Sequence, residues 1–210
     1  MHINRLIAVL VLSTAGCNAI KPTQTPPPTF YALDRAVAPP RTIPAGPSLL
    51  KAPTLIVDLP LASSGFDSPR MAYIREAHKL EYFANNGWID PPARLLTPLL
   101  ADAIEKRGTF RAVVMAPSAA AADFRLSTEL VRLQHEFTSQ PSRVRFTLRV
   151  ILVEDETRKV VASREFEAVA PASSETPYGG VLAANIAVQT VLAQLATFCE
   201  EAARVAWVER

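Results

Sequence analysis

The sequence predicts an α/β protein of the α+β type, a single domain in which two main helices pack on a mixed, mostly antiparallel sheet. The clearest strand pattern runs from Val144 to Leu152, where apolar residues alternate with arginine and threonine. Apolar residues instead recur every three or four positions in 91–107 and in 178–208, which predicts two helices.

The remaining strands are predicted either from alternation or from short apolar runs between prolines and polar turns. In chain order the predicted strands are Phe30–Leu33, Leu55–Leu59, the hairpin Met71–Arg75 and Lys79–Phe83, Phe110–Met115, Phe124–Leu130, Val144–Leu152 and Val160–Ala168. Alternation breaks at Val131 and Leu133, which favours a bulge there. Asn85-Asn86-Gly87 has the composition of a turn, and 38–53 is predicted to be an irregular proline-rich loop.

The first helix has recognisable start and stop residues. Asp90 is placed to cap it, Pro91 suits its first position, and Gly108 suits its end. Pro98 inside this segment removes a backbone hydrogen bond. Two outcomes are open: a kink at Pro98, or a fresh helix start capped by Thr97. The second helix is predicted to run from Tyr178 to about Val208.

The first sixteen residues have the three-part pattern of an export signal. Arg5 supplies the positive charge, Leu6 to Leu12 is an apolar run, and small residues lead to Cys17. The run is too short for a permanent membrane-spanning helix. A cysteine directly after Ala-Gly resembles the lipobox of bacterial lipoproteins, although Thr14 stands where leucine is usual. The alternative is an ordinary signal peptide with a coincidental cysteine.

The predicted organisation is a lipoprotein signal peptide at 1–16, a proline-rich lipid-anchored linker at 17–29 and a domain at 30–208. Proline-rich linkers favour extended polyproline II geometry, at about 3.1 Å per residue. Lipoproteins of this kind generally carry more than one acyl chain, and two such chains give stable attachment. Asn18, rather than aspartate, follows the cysteine and by resemblance favours the outer membrane over the inner membrane.

Composition limits the function classes. The formal net charge of +2 gives no electrostatic argument for binding nucleic acid. Only Cys199 remains besides Cys17, so no disulfide within the anchored domain is expected. Its apolar neighbours at helical spacing predict a core position, and the alternative of a redox role lacks a cationic partner.

An ordered series of residues resembles a known protein family. The series is Phe30-Tyr31-Ala32-Leu33, Leu55 to Leu59, Tyr73, Leu80-Glu81-Tyr82, Trp88, Asp90-Pro91-Pro92, Leu99-Leu100 and Gly108-Thr109-Phe110. In this order, after a lipoprotein linker, they are similar to the ABC-type transport auxiliary lipoproteins. These accompany mammalian-cell-entry (MCE) transport systems. The resemblance extends from Phe30 to the last helix.

The resemblance implies a non-enzymatic accessory role without a cofactor. The implied partners are an MCE-domain protein and the permease and ATPase components of an ABC transporter. Such systems move phospholipid or other hydrophobic molecules across the envelope, and the lipoprotein would dock the complex at the periplasmic face of the outer membrane. The membrane is contacted through the lipid anchor, and a homo-oligomer is left open.

Two groups of residues are candidates for binding. Arg145 and Arg149 share one strand face with Arg143, with Arg125 near them, and are candidates for contact with a partner or a lipid headgroup. The alternative is a solvated sheet face or a protein interface. Trp88, together with Tyr82 and Phe83, is a candidate for an exposed docking patch, with packing in the core as the alternative.

No catalytic or metal-binding constellation is present in the sequence. His78 and His135 lack other ligands at metal-binding spacing, and a solvated surface position is expected for both. Asp155 and Glu156 are expected to be solvated in a hairpin turn. Two other functions stay open: a structural lipoprotein that assists assembly of an outer-membrane complex without transport, and a lipid-anchored hydrolase.

Overall fold

The computed structural model describes residues 27–34 and 51–208. The predicted signal peptide, Cys17, most of the predicted linker and most of the predicted loop at 38–53 lie outside the described residues. Those predictions are therefore not addressed by the structure.

The described residues form nine strands and two long helices. The strands are β1 (Thr29–Tyr31), β2 (Thr54–Val57), β3 (Leu61–Ala62), β4 (Arg70–Ile74), β5 (Leu80–Trp88), β6 (Ala112–Met115), β7 (Phe124–Glu136), β8 (Arg143–Glu154) and β9 (Val160–Pro171). The helices are α1 (Pro92–Glu105) and α2 (Pro177–Val208). The predicted α+β class is confirmed.

The strands form one sheet around β7. Along one side β7 pairs antiparallel with β8, which in turn pairs antiparallel with β9. Along its other side β7 is shared by three short parallel strands: β2 pairs near its start, β3 near its middle and β4 near its end. Beyond them, β6 pairs with β2, and β5 and β1 continue the sheet from β4.

The two sides of the sheet differ because successive side chains point to opposite faces. On what we call the core face, β8 contributes Val144, Phe146, Leu148, Val150 and Leu152, each at most 2% exposed. Their neighbours on β7 include Leu126 and Leu130, which are also fully buried. The opposite side of β7, β8 and β9, which we call the open face, carries charged side chains.

Both helices pack on the core face and contact each other. α1 buries Leu96, Leu99, Leu100 and Ile104, which lie at the helical spacing expected from the sequence. α2 packs over β8 and β9. By length and composition alone α2 could span a membrane, but 56% of its most apolar window is buried inside the domain. Its apolar character is therefore explained by the core.

Two predicted local features are wrong. Asn85-Asn86-Gly87 is not a turn, because β5 continues through it: Asn86 pairs with Thr29 and Gly87 with Phe30 of β1. Strand pairing on this edge overrides the turn preference of the sequence. Asp90 does not cap α1. Its N-cap is Pro91, without a side-chain hydrogen bond.

Two other local predictions, the bulge in β7 and the glycine that ends the first helical region, are confirmed. The register of β7 against β8 shifts between Leu130 and Arg132, where the bulge was expected. Gly108 ends the first helical region with φ of +69°, a conformation that favours glycine. α1 continues through Pro98. Thr97 therefore does not start a new helix, and its hydroxyl instead donates to the carbonyl of Ala93 at 3.4 Å.

Candidate functional site

The candidate site is a network of ion pairs that lies on the open face of β7, β8 and β9. We use the name charged face for the residues of this network. Its arginines are Arg143, Arg145 and Arg149 of β8, and its carboxylates are Glu129 and Glu136 of β7 and Glu165 and Glu167 of β9. Alternation along β8 and β9, together with the register shift in β7 between Leu130 and Arg132, places all of these side chains on one side of the sheet. The predicted clustering of the β8 arginines is therefore correct.

Glu136 is the most buried member of the charged face, with a side chain only 5% exposed. Arg145 Nε donates to it at 2.7 Å, Arg143 Nε at 2.9 Å and Gln134 Nε2 at 3.0 Å. Burial alone would raise the pKa of Glu136, but the hydrogen bonds from Arg145, Gln134 and Arg143 outweigh it and lower the pKa to about 2. The carboxylate is therefore ionised at any physiological pH.

Two β8 arginines are each held between acidic residues of both neighbouring strands. Arg149 contacts Glu129 of β7 at 2.7 Å and Glu165 of β9 at 3.0 Å. Arg145 contacts Glu136 of β7 and also Glu167 of β9. Across the three strands the order of charge is thus acidic, basic, acidic.

Arg125 forms a second cluster toward the other end of β7. It lies 2.6 Å from Asp58 and 2.6 Å from Asp155, and Ser127 also donates to Asp58 at 2.8 Å. The hydrogen bond from Arg125 lowers the pKa of Asp155 against the opposing effect of burial. The expectation that Asp155 is solvated is therefore wrong, since its side chain is 17% exposed and paired. Glu156 beside it is exposed, as expected.

His135 is buried, which contradicts the expected surface position. It is 3% exposed, and its Nε2 lies 2.8 Å from the hydroxyl of Ser142, which is itself fully buried. A Cβ at Gly180 would lie 2.5 Å from His135 Nδ1, so α2 approaches the ring this closely only because residue 180 is glycine. Burial lowers the pKa of His135, against an opposing effect of Glu175. His78, in contrast, is exposed in a turn.

Metal binding has no support in the described ranges 27–34 and 51–208. No group of three or more histidine, cysteine, aspartate or glutamate side chains there could hold an ion. Cys199 is fully buried, as predicted, and burial raises the pKa of its thiol to about 12. Such a thiol is unreactive while the protein is folded.

The sequence matches a family model, described as the ABC-type transport auxiliary lipoprotein component, over residues 31–196. This range includes α1, every strand except the start of β1, and most of α2. The chain belongs to this family. No curated protein matches the chain.

Two solved structures resemble this auxiliary lipoprotein component along almost their whole length. A protein of Xanthomonas campestris, XCC0632, is 24% identical with a TM-score of 0.72, covering 84% of this chain and 98% of that one. A second structure, of an uncharacterized protein, is 13% identical with a TM-score of 0.62, covering 83% and 97%. At these identities the likeness shows a shared fold.

Trp88 of the auxiliary lipoprotein lies in the core, at 4% exposed. Its partners in the predicted patch, Tyr82 and Phe83, are partly buried. Phe83 packs against Tyr73, with ring centroids 4.5 Å apart. These side chains do not form an exposed aromatic patch, so core packing, the stated alternative, describes Trp88.

The charged face places Arg145 and Arg149 together but does not leave them free. A lipid phosphate at Arg145 would have to displace Glu136 and Glu167, which already occupy its guanidinium group. Glu136, Glu165 and Glu167 were missed in the sequence as partners of these arginines. Glu165 and Glu167 share one face of their strand and could have been recognised from alternation. The pairing of Glu136 with the arginines of β8 depends on the register between the two strands, which the alternation of residues along one strand does not reveal.

Proposed function

We propose that this protein is a non-enzymatic accessory lipoprotein of an ABC/MCE-type transport system that moves phospholipid or other hydrophobic molecules across the cell envelope. Its role is to dock the complex at the periplasmic face of the outer membrane. The observation that carries this proposal is the family match over residues 31–196.

The N-terminal residues support anchoring. Cys17 follows an export signal and would carry the acyl chains, and Asn18 favours the outer membrane. The linker at 17–29 would, in polyproline II geometry, hold the domain some tens of ångströms (about 3 Å per residue) from the lipid. That reach suits a protein that meets a partner in the space between two membranes.

One cavity among the described residues is too small to carry lipid. A cavity lined by Trp88, Leu133, His135 and Gly180 has a volume of about 10 Å³. That is room for about one water molecule, far too small for an acyl chain. The His135–Ser142 pair is buried, so a substrate has no access to that hydroxyl.

The test is co-purification from the native envelope. The full chain, with a C-terminal affinity tag, is cross-linked in living cells, extracted in detergent and purified, and its partners are identified by mass spectrometry. The proposal expects an MCE-domain protein, with the permease and ATPase recovered at lower yield. Recovery of outer-membrane proteins without any ABC component would instead favour the structural assembly function.

Two variants control for anchoring. Cys17→Ser should fold normally, move from the membrane to the soluble fraction and lose the cross-links. Asn18→Asp should shift the protein toward the inner-membrane fraction on a density gradient. If Cys17→Ser protein with a cleaved signal stayed in the membrane fraction, the lipid anchor would be rejected.

A further inference from the structure

The outer edge of β9 is a long strand edge without a partner in the described part of the chain. β9 pairs with β8 along its length, from Val160 opposite Val153 to Pro171 opposite Arg143, and with no other described strand. About half of the N–H and C=O groups of an edge strand point away from the sheet. These groups form a template on which another extended segment can pair.

The charges of β9 are only half matched. Arg149 and Arg145 have acidic partners on both sides, whereas Glu165 and Glu167 have basic partners only on the β8 side. The side chains of Glu165 and Glu167 are 49% and 43% exposed. The acidic, basic, acidic order across β7, β8 and β9 therefore ends on an acidic strand, and a basic strand would continue it.

The side chains on the open face of β9 also indicate which residues a strand pairing with its outer edge should contain. From one end to the other it presents Val160, Ser163, Glu165, Glu167 and Val169. Both valines are exposed, at 56% and 41%. A complementary strand would carry basic residues in its middle and aliphatic residues toward its ends.

We propose that the outer edge of β9 docks an extended basic segment of a partner protein, which adds to the sheet as a further strand. Arginine or lysine at alternate positions would face Glu165 and Glu167, and its backbone would pair with the free edge. The partner's identity as a component of the transport assembly rests on the proposed function. The recognition chemistry rests on β9 alone.

The β9 edges of two copies of this chain fit each other poorly. Two β9 strands related by a two-fold axis perpendicular to the sheet must place residues of the same face opposite each other. Two such registers pair nearly the whole of β9. One puts Glu165 opposite Glu165 of the other copy, and the other puts Glu165 opposite Glu167 of the other copy. Like charges directly opposite each other destabilise a strand pair, so the edge disfavours self-pairing.

The test uses the full mature chain in detergent and a fluorescent synthetic peptide in which arginine alternates with valine. Fluorescence anisotropy at low salt should show saturable binding. A peptide with glutamate in place of arginine should not bind. A third peptide, N-methylated at every backbone amide, should lose most of the affinity, because neither of its edges can donate the hydrogen bonds of a strand pair.

Variants of the protein locate the site. Glu165→Gln combined with Glu167→Gln should weaken binding of the arginine peptide about tenfold, since two opposite-charge pairs are lost. The matched control, Glu76→Gln combined with Glu201→Gln, removes two exposed carboxylates outside the strands and should leave the affinity unchanged. Far-UV circular dichroism checks that all variants keep the fold.

Hydrogen exchange decides the mode of binding. The arginine peptide should slow exchange of amides within 160–171, where the outer edge lies. Protection confined to other elements, equal affinity of the double variant, or absence of saturable binding would overturn the proposal. So would light-scattering evidence that the free protein is a dimer dissociated by the peptide. None of these results bears on whether ABC components co-purify, so the proposed function is tested separately.

Discussion

Replacing Glu136 with glutamine isolates the contribution of one buried charge. The carboxylate is 5% exposed and accepts hydrogen bonds from Arg145, Arg143 and Gln134. Glutamine has nearly the same shape, so the substitution changes charge and hydrogen bonding with little change in packing. The change is best made in a Cys17→Ser background, which removes the proposed lipid anchor.

The size of the effect follows from the pKa of Glu136, which falls from an ordinary 4.5 to about 2. One pKa unit corresponds to about 1.4 kcal/mol, so the folded state favours the charged form by about 3 kcal/mol. Because the pKa is lowered on folding, this stability is present above the unfolded-state pKa. It is lost as the pH falls from the ordinary value toward the folded-state pKa.

The assay is urea unfolding followed by circular dichroism at a series of pH values. At neutral pH, Glu136→Gln should lower the free energy of unfolding by about 3 kcal/mol. The wild-type and variant values should converge as the pH approaches the folded-state pKa of about 2, where Glu136 becomes protonated. Glu201→Gln, on the exposed surface of α2, serves as the reference for removing a carboxylate outside the sheet.

Parallel stability profiles of wild type and Glu136→Gln over the acidic range would refute this reasoning. So would a loss at neutral pH no larger than that of Glu201→Gln. Either result would mean that Arg145 and Arg143 do not stabilise the charged form of Glu136 more than water does. The charged face would then be a set of surface ion pairs of little energetic weight.

Three further predictions concern the core. Leu148→Ala should lower the free energy of unfolding by about 2–5 kcal/mol, whereas Ile151→Ala on the open face of the same strand should cost less than about 1 kcal/mol, both by urea unfolding. Gly180→Ala should lower the free energy of unfolding by about 1–3 kcal/mol, because the added Cβ would meet His135. Adding His135→Ala should restore part of this loss, and purely additive effects of the two substitutions would contradict the contact. Burial raises the pKa of Cys199 to about 12, so a thiol reagent in mildly alkaline buffer should label it only after unfolding, and labelling of the folded protein would show that helix α2 opens.

The sequence predicts best the elements whose pattern is local. Val144, Phe146, Leu148 and Val150 alternate with polar residues without interruption, and each of the four is at most 2% exposed. The turn at Asn85-Asn86-Gly87 was wrong because β1, distant in sequence, pairs with it and extends β5. His135 was wrongly placed because nothing near it in the sequence indicates that the start of α2 covers it. Burial by a distant element leaves no local periodic signal.

The same distinction applies to the candidate site. The β8 arginines share one face by alternation, so their clustering could be predicted. Their pairing with Glu136 and Glu129 depends on the register between β7 and β8, including the shift between Leu130 and Arg132. A bulge changes register by one residue, and its position cannot be fixed closely enough from composition to pair individual charges.

β7 pairs with strands that are near it in the sequence and with strands that are far from it, and this affects the order in which the chain folds. The hairpin of β7 and β8 closes over a short separation, since Glu136 and Arg143 are 7 residues apart. The contacts of β7 with the region of β2 join residues up to 69 positions apart, as between Ser127 and Asp58. Contacts between distant residues form slowly because a long loop must first be closed. We therefore expect β7, β8 and β9 to assemble first and the N-terminal strands to join the sheet last.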